Sequence, residues 1–167
     1  MSDEATGQNA GAYRVLARRY RPKTFADLIG QDALVRTLTN AFATGRIAQA
    51  YMLTGVRGVG KTTTARLIAR ALNYPTGPTI DMPEVTPQCE AILESRHMDV
   101  IEMDAASNTG VDNMREIIDS VRYAPVQVRT KVYIIDEVHM LSKSAFNALL
   151  KTLEEPPPHV KFVFATT

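Results

Sequence analysis

A single cysteine, Cys89, leaves no partner for an internal disulfide and too few thiolates for a cysteine-rich metal site. The chain also lacks a signal peptide and any apolar run long enough to span a bilayer, which argues for the cytoplasm and against a membrane. Neither sign of charge is in excess. Lys and Arg number 19 and Asp and Glu 18, a net charge of +1 that points neither to nucleic acid nor to a lipid surface. What is present is ordinary for a globular protein, with 45% apolar and 22% charged residues, and 167 residues are enough to bury the core of one domain. Residues 1–12, small and polar, read as a disordered leader before a folded unit over 13–167.

Four short runs rich in β-branched and aromatic residues are expected to be buried strands: 51–54, 98–103, 131–135 and 160–164. Stretches of helical periodicity separate them. Leu34, Val35, Leu38, Ala41 and Phe42 share one face, and Gly45 ends that run; Met114, Ile117, Ile118 and Val121 form a second stripe. Phe146, Leu149, Leu150 and Leu153 form a third, with Ser142 as N-cap and Pro156, Pro157 and Pro158 as the stop. Residues 75–88, rich in Pro, Thr and Gly, read as a loop. Alternating strands and helices predict an α/β fold, a parallel sheet covered by helices on both faces.

The segment Gly55, Val56, Arg57, Gly58, Val59, Gly60, Lys61, Thr62 satisfies G-x-x-x-x-G-K-[ST], with a strand before it and a helix over 62–73 after it. Glycines let successive backbone N–H groups turn inward around phosphate oxygens with no Cβ in the way. The helix N-terminus adds partial positive charge at the same place. Lys61 is expected to reach the β- and γ-phosphates of ATP, and Thr62, with Thr63 behind it, to bring a hydroxyl to Mg²⁺. The bland alternative is a glycine-rich turn ahead of a helix.

Asp136 and Glu137 end the third apolar run, at the carboxyl end of a strand where ligands gather in open α/β sheets. Asp136 is expected to hold Mg²⁺ through water and Glu137 to polarise the attacking water. A surface turn is the plain alternative, and it fits poorly beside a full phosphate loop. The fourth run ends in Thr166 and Thr167; threonine at a strand end is ordinary sheet composition, and a role for such a residue between the acids and a γ-phosphate rests on the resemblance given below.

The strings 16–22 (LARRYRP), 24–31 (TFADLIGQ), 55–62, 104–107 (DAAS), 136–142 (DEVHMLS) and 146–156 (FNALLKTLEEP) together resemble the gamma/tau subunits of bacterial DNA polymerase III, the ATPases of the sliding-clamp loader. The likeness runs from about residue 13 to 167. It implies an AAA+ P-loop fold and partners: delta and delta-prime subunits, further gamma/tau copies, the ring-shaped sliding clamp and primer–template DNA. It also implies that Ala17, Tyr20, Arg21, Pro22 and Ile29 meet the adenine and ribose, and that Thr167 is the first sensor. The Asp-Glu-Val-His string also resembles a helicase box, whose other motifs are not recognisable here.

Two departures from the family stand out. Where many members carry four zinc-binding cysteines, this chain has Tyr74, Pro83, Thr86 and Cys89, and one thiolate cannot build a tetrahedral Zn²⁺ site. No zinc is expected there, the loop being held by packing. The chain also ends before the family's Ser-Arg-Cys motif, fifth strand, helical lid and collar. The resemblance then implies a core without the arginine finger, a device that contributes about 10³ to 10⁵ in rate, and a strand 51–54 that loses its partner and exposes an apolar edge.

Weaker features complete the sequence. Arg14, Arg18, Arg19, Arg21 and Lys23 form a basic run that is either a phosphate, DNA or subunit contact or a solvated arm. Asn108 to Arg115 opens a helix whose N–H groups face either core packing or a DNA phosphate. His139 is read as a packing or hydrogen-bonding residue, and Cys89 as a small packed hydrophobe. Two other functions remain open: a nucleotide-binding interaction module without turnover, and a branch-migration or helicase motor.

Overall fold

The computed structural model describes residues 22–28, 30–55 and 60–167. The leader at 1–12 and the expected nucleotide contacts Ala17, Tyr20, Arg21, Ile29, Val56, Arg57, Gly58 and Val59 lie outside them. A 3₁₀ turn at Phe25–Asp27 precedes α1 (Asp32–Thr44), β1 (Ala50–Thr54), α2 (Lys61–Leu72), α3 (Pro87–Leu93) and β2 (Val100–Asp104). There follow α4 (Asn108–Ser120), β3 (Lys131–Asp136), a 3₁₀ turn (Val138–Met140), α5 (Lys143–Glu154) and β4 (Val160–Thr166).

The four strands form one parallel sheet in the order β1-β4-β3-β2. Along β3, side chains alternate between two cores, as the pleat requires. Val132 and Ile134 join Val163 beneath α2 and α3. Tyr133 and Ile135 join Phe162 and Phe164 beneath α4 and α5. Because both faces are covered, β3 reads as an unbroken apolar run rather than an alternating one. The rings of Tyr133, Phe162 and Phe164 stack in sequence, with centroids 5.4 and 5.7 Å apart.

Local signals account for the helices. In α1 the stripe led by fully buried Leu38 faces the core, and Gly45 (φ 70°) closes the helix. Burying one such leucine contributes about 1.5–3 kcal/mol. In α5 the Ser142 hydroxyl accepts the Ala145 N–H at 3.1 Å, and the residue before Pro156 leaves the helical region, so the helix stops at Glu154.

Three expectations need correction. The second strand starts at Val100 rather than 98, because the Asp99 side chain is used elsewhere: its carboxylate accepts the N–H groups of Val126, Gln127 and Val128 at 2.6–3.0 Å. The loop expected over 75–88 ends early, since α3 begins at Pro87 with the Thr86 hydroxyl capping the Cys89 N–H at 3.2 Å. Strand 51–54 keeps a partner, pairing along its length with β4; its other edge is unpaired among the described residues.

The segment before α3 is tied down by a buried cation. Arg70 on α2 is fully buried and donates to the carbonyls of Lys23, Met82 and Glu84, while the Tyr74 hydroxyl accepts the Glu84 N–H at 2.9 Å. Cys89 is buried in the same core. Burial pushes its thiol up, but the Thr86 hydroxyl and the Arg70 guanidinium outweigh that and hold it below its ordinary value.

Candidate functional site

All strands are parallel, so their carboxyl ends share one edge of the sheet, and register brings the motif residues there. Thr54, the last residue of β1, pairs with Thr166 of β4, and Ile135 of β3 pairs with Phe164 of β4. The phosphate-loop residues that follow β1, the acids at the end of β3 and the threonines at the end of β4 therefore lie on three adjacent strands. The sheet does what the spacing of the motifs in the chain only implied.

On the β1 side, Gly55 and Gly60 have φ of 151° and 78°, values at which a side chain is strained. Gly60 is the N-cap of α2, so the free N–H groups of that helix begin at the loop. The Lys61 ammonium donates to the Gly55 carbonyl at 2.7 Å, folding the lysine back across the loop mouth. Thr62 and Thr63 are half-buried in the first turn of α2. A cavity of about 260 Å³ opens beside Lys61, lined also by Gln31, Leu34, Met52, Thr54 and Thr64.

On the β3 side, Asp136 is half-buried and its Oδ1 accepts the Glu137 N–H at 2.9 Å. Glu137 adopts the left-handed region (φ 53°, ψ 46°), one of two non-glycine residues with positive φ among those described. Backbone strain of this kind costs roughly 1–3 kcal/mol and gathers at functional sites. Here it turns the side chain along the carboxyl edge towards β4. The Thr167 hydroxyl donates to Glu137 Oε2 at 3.1 Å, and His139 Nε2 lies 3.3 Å from the same oxygen. His139 Nδ1 is 2.7 Å from the Thr166 hydroxyl. The hydrogen-bonding role expected for His139 is thus present in the geometry.

This donor set fits a nucleotide with Mg²⁺. Among the described residues no three His, Cys, Asp or Glu side chains converge on a metal site, and the protein oxygens expected from the sequence are one carboxylate, Asp136, and one hydroxyl, Thr62. Mg²⁺ suits that arrangement, since it keeps several waters and takes the rest of its shell from substrate phosphates. Of the residues expected to meet the base and ribose, only Pro22 is described, half-buried ahead of the 3₁₀ turn. Sequence reasoning missed Gln31 as part of the cavity wall beside Lys61 and Thr166 as the anchor of His139. Neither carries a signal of its own, because each depends on which strand ends and helix starts are neighbours.

Residues 30–167 match the family model described as DNA polymerase III, delta subunit. The chain belongs to this family. Within it the chain is similar to the DNA polymerase III subunit tau of Escherichia coli, 55% identical over 156 residues, covering 93% of this chain and 24% of the relative. It is equally similar to the subunit gamma of Buchnera aphidicola from Acyrthosiphon pisum, 55% identical over 155 residues and covering 43% of that relative. The subunit tau of Bacillus subtilis is 49% identical over 156 residues, with 28% of its length covered. The chain thus spans a quarter to less than half of these relatives. Two solved structures share the fold. A RuvB protein from Thermotoga maritima aligns with TM-score 0.57 at 21% identity, covering 89% of this chain and 42% of that one. A DNA polymerase III gamma subunit-related protein from the same organism aligns with TM-score 0.52 at 22% identity, covering 79% and 38%. The fold is that of the AAA+ P-loop proteins. Among the described residues no helix is long and apolar enough to cross a membrane.

Proposed function

We propose that this chain is the ATP-binding and hydrolysing part of a cytoplasmic DNA polymerase III clamp loader, acting with delta, delta-prime and further gamma/tau copies to place a sliding clamp on primer–template DNA. The observation that carries the proposal is the shared carboxyl edge of β1, β4 and β3. It supports the reading because the end of β1, which leads to Lys61, and the end of β3, which carries Asp136, flank the same strand β4.

In this reading Lys61 leaves the Gly55 carbonyl to meet the β- and γ-phosphates, while the amides of Gly55 through Gly60 and the start of α2 surround the phosphate oxygens. Thr62 and Asp136 would hold Mg²⁺. The cation's contribution is to neutralise charge on the phosphates. Glu137 orients and polarises the attacking water, and Thr167, already on the glutamate, responds to the γ-phosphate. Pro22, with Ala17, Tyr20, Arg21 and Ile29, closes the adenine and ribose side. Binding ATP favours the state that grips the clamp, and hydrolysis releases it, a trade of affinity between two states.

The decisive measurement is calorimetry of ATP with Mg²⁺ on the wild type and Lys61→Ala. Losing one charge-assisted bond of about 1.5–3 kcal/mol should weaken binding by roughly 10- to 150-fold. Equal affinity in the two proteins would remove the loop from the site.

A further inference from the structure

Both contacts to Glu137, a hydrogen bond and an ion-pair approach, fall on one of its two carboxylate oxygens. Thr167 Oγ1 and His139 Nε2 both approach Oε2, at 3.1 and 3.3 Å, and no described partner engages Oε1. The His139 ring nitrogen approaches Oε2 at ion-pair distance, while the hydrogen bond on that oxygen comes from the Thr167 hydroxyl. What holds the ring is its opposite nitrogen, Nδ1, which shares a hydrogen bond with the Thr166 hydroxyl at 2.7 Å. The imidazole is therefore a strut with two ends. One end is fixed to the last residue of β4, and the other to the glutamate that follows β3.

We propose that His139 is a positioning residue for hydrolysis. By holding Oε2 it leaves Oε1 as the oxygen that takes the water's hydrogen, and it keeps the carboxylate in register with the end of β4. This rests on the reading of Glu137 as the group that polarises water. Thr167 alone is a poor substitute: a single hydroxyl on a side chain that sits on strained backbone leaves the carboxylate free to rotate about its last bond. His139 adds the second contact from a different direction. Its side chain is 44% exposed, so it contributes little packing, and its removal should be felt in turnover rather than in folding.

The test uses the full-length protein assembled with its loader partners, comparing His139→Ala, His139→Gln and His139→Asn with Glu137→Gln. A glutamine amide nitrogen occupies the place of Nε2, whereas an asparagine amide occupies that of Nδ1 and cannot reach Glu137. His139→Ala should lower kcat about tenfold, a fraction of what a general base supplies, with KM, ATP affinity and melting temperature unchanged. His139→Gln should restore much of the rate and His139→Asn little. Wild-type kcat in His139→Ala, a matching change in ATP affinity, or equal recovery by Asn and Gln would each overturn the proposal. If His139→Ala does not fold, the Gln and Asn variants make the same comparison between themselves. Glu137→Gln separates the two layers of inference. It should bind ATP and not turn over, and if it hydrolyses at the wild-type rate the assignment of Glu137 itself is wrong. An inert Glu137→Gln beside a fully active His139→Ala removes His139 alone.

Discussion

At the scale of single residues, the site is built from backbone conformations that most side chains resist. Gly60 caps α2 at φ 78°, and a Cβ built there meets nothing within 4 Å. Gly60→Ala should therefore destabilise through backbone strain alone, by about 1–2 kcal/mol, read as a lower denaturant midpoint at unchanged slope. If the cost proves negligible, the loop relaxes at that position. Glu137 accepts comparable strain without the freedom of glycine, and the Thr167 hydrogen bond and the His139 contact on Oε2 show what the strain achieves. The motif residues were legible because phosphate chemistry needs particular types at particular spacings: the loop from Gly55 to Thr62 and the acids Asp136 and Glu137 announce themselves. The link from Thr166 through His139 to Glu137 was not legible. It joins residues 27 positions apart, and only the register of β4 against its neighbours brings them within reach.

At the scale of elements, caps and stops were readable and long-range partners were not. Ser142, Gly45 and Pro156 mark helix ends by local chemistry that acts within one turn. α3 escaped because it has only seven residues and opens on Pro87 at the end of a stretch rich in Pro, Thr and Gly, too short for the spacing of Cys89, Ile92 and Leu93 to stand out. Met98 and Asp99 look like the start of a strand until the distant loop that needs Asp99 is known. This carboxylate is 2% exposed and organises residues 126–128, while its own N–H donates to His97 Nδ1 at 3.0 Å. Burial would push its pKa up, but the three N–H donors and His97 bring it below the ordinary 3.8. A depressed carboxylate stabilises the fold above its unfolded value and loses that contribution as pH falls through the folded one. Asp99→Asn should lower stability by about 2 kcal/mol at pH 7, in line with lost bonds to a charged acceptor. The same variant should show a flatter stability curve below pH 4 than the wild type, where that protein loses its advantage. Parallel curves across that range would place the acid sensitivity elsewhere.

At the scale of the whole molecule, β1 has an unpaired outer edge among the described residues. Beside it lies an apolar groove of about 260 Å³, lined by Tyr51, Met52, Val138, Phe146, Leu150 and Leu153. Met52 is 54% exposed, Phe146 40% and Leu150 41%, so edge and groove form a continuous apolar border. Unpaired edges flanked by such surface recruit other strands. The 167-residue chain should self-associate as its concentration rises, and Met52→Lys should suppress this in sedimentation velocity without lowering the melting temperature. Association that ignores the substitution would point to another surface. The α/β class and the two covered faces could be read from alternating strands and helices, but the order of strands could not, since nothing local says that the fourth enters between the first and the third.

That insertion has a consequence for synthesis. Residues 160–166 leave the ribosome after the other three strands described, yet they lie between the strand that leads into the phosphate loop and the strand that carries the acids. Until they arrive, the nascent chain has a lone β1 and a separate β2–β3 pair with exposed flanks. The strand of the loop and the strand of the acids are thus joined into one sheet only when this seven-residue wedge enters, and long-range pairing of that kind leaves apolar edges open until it is complete.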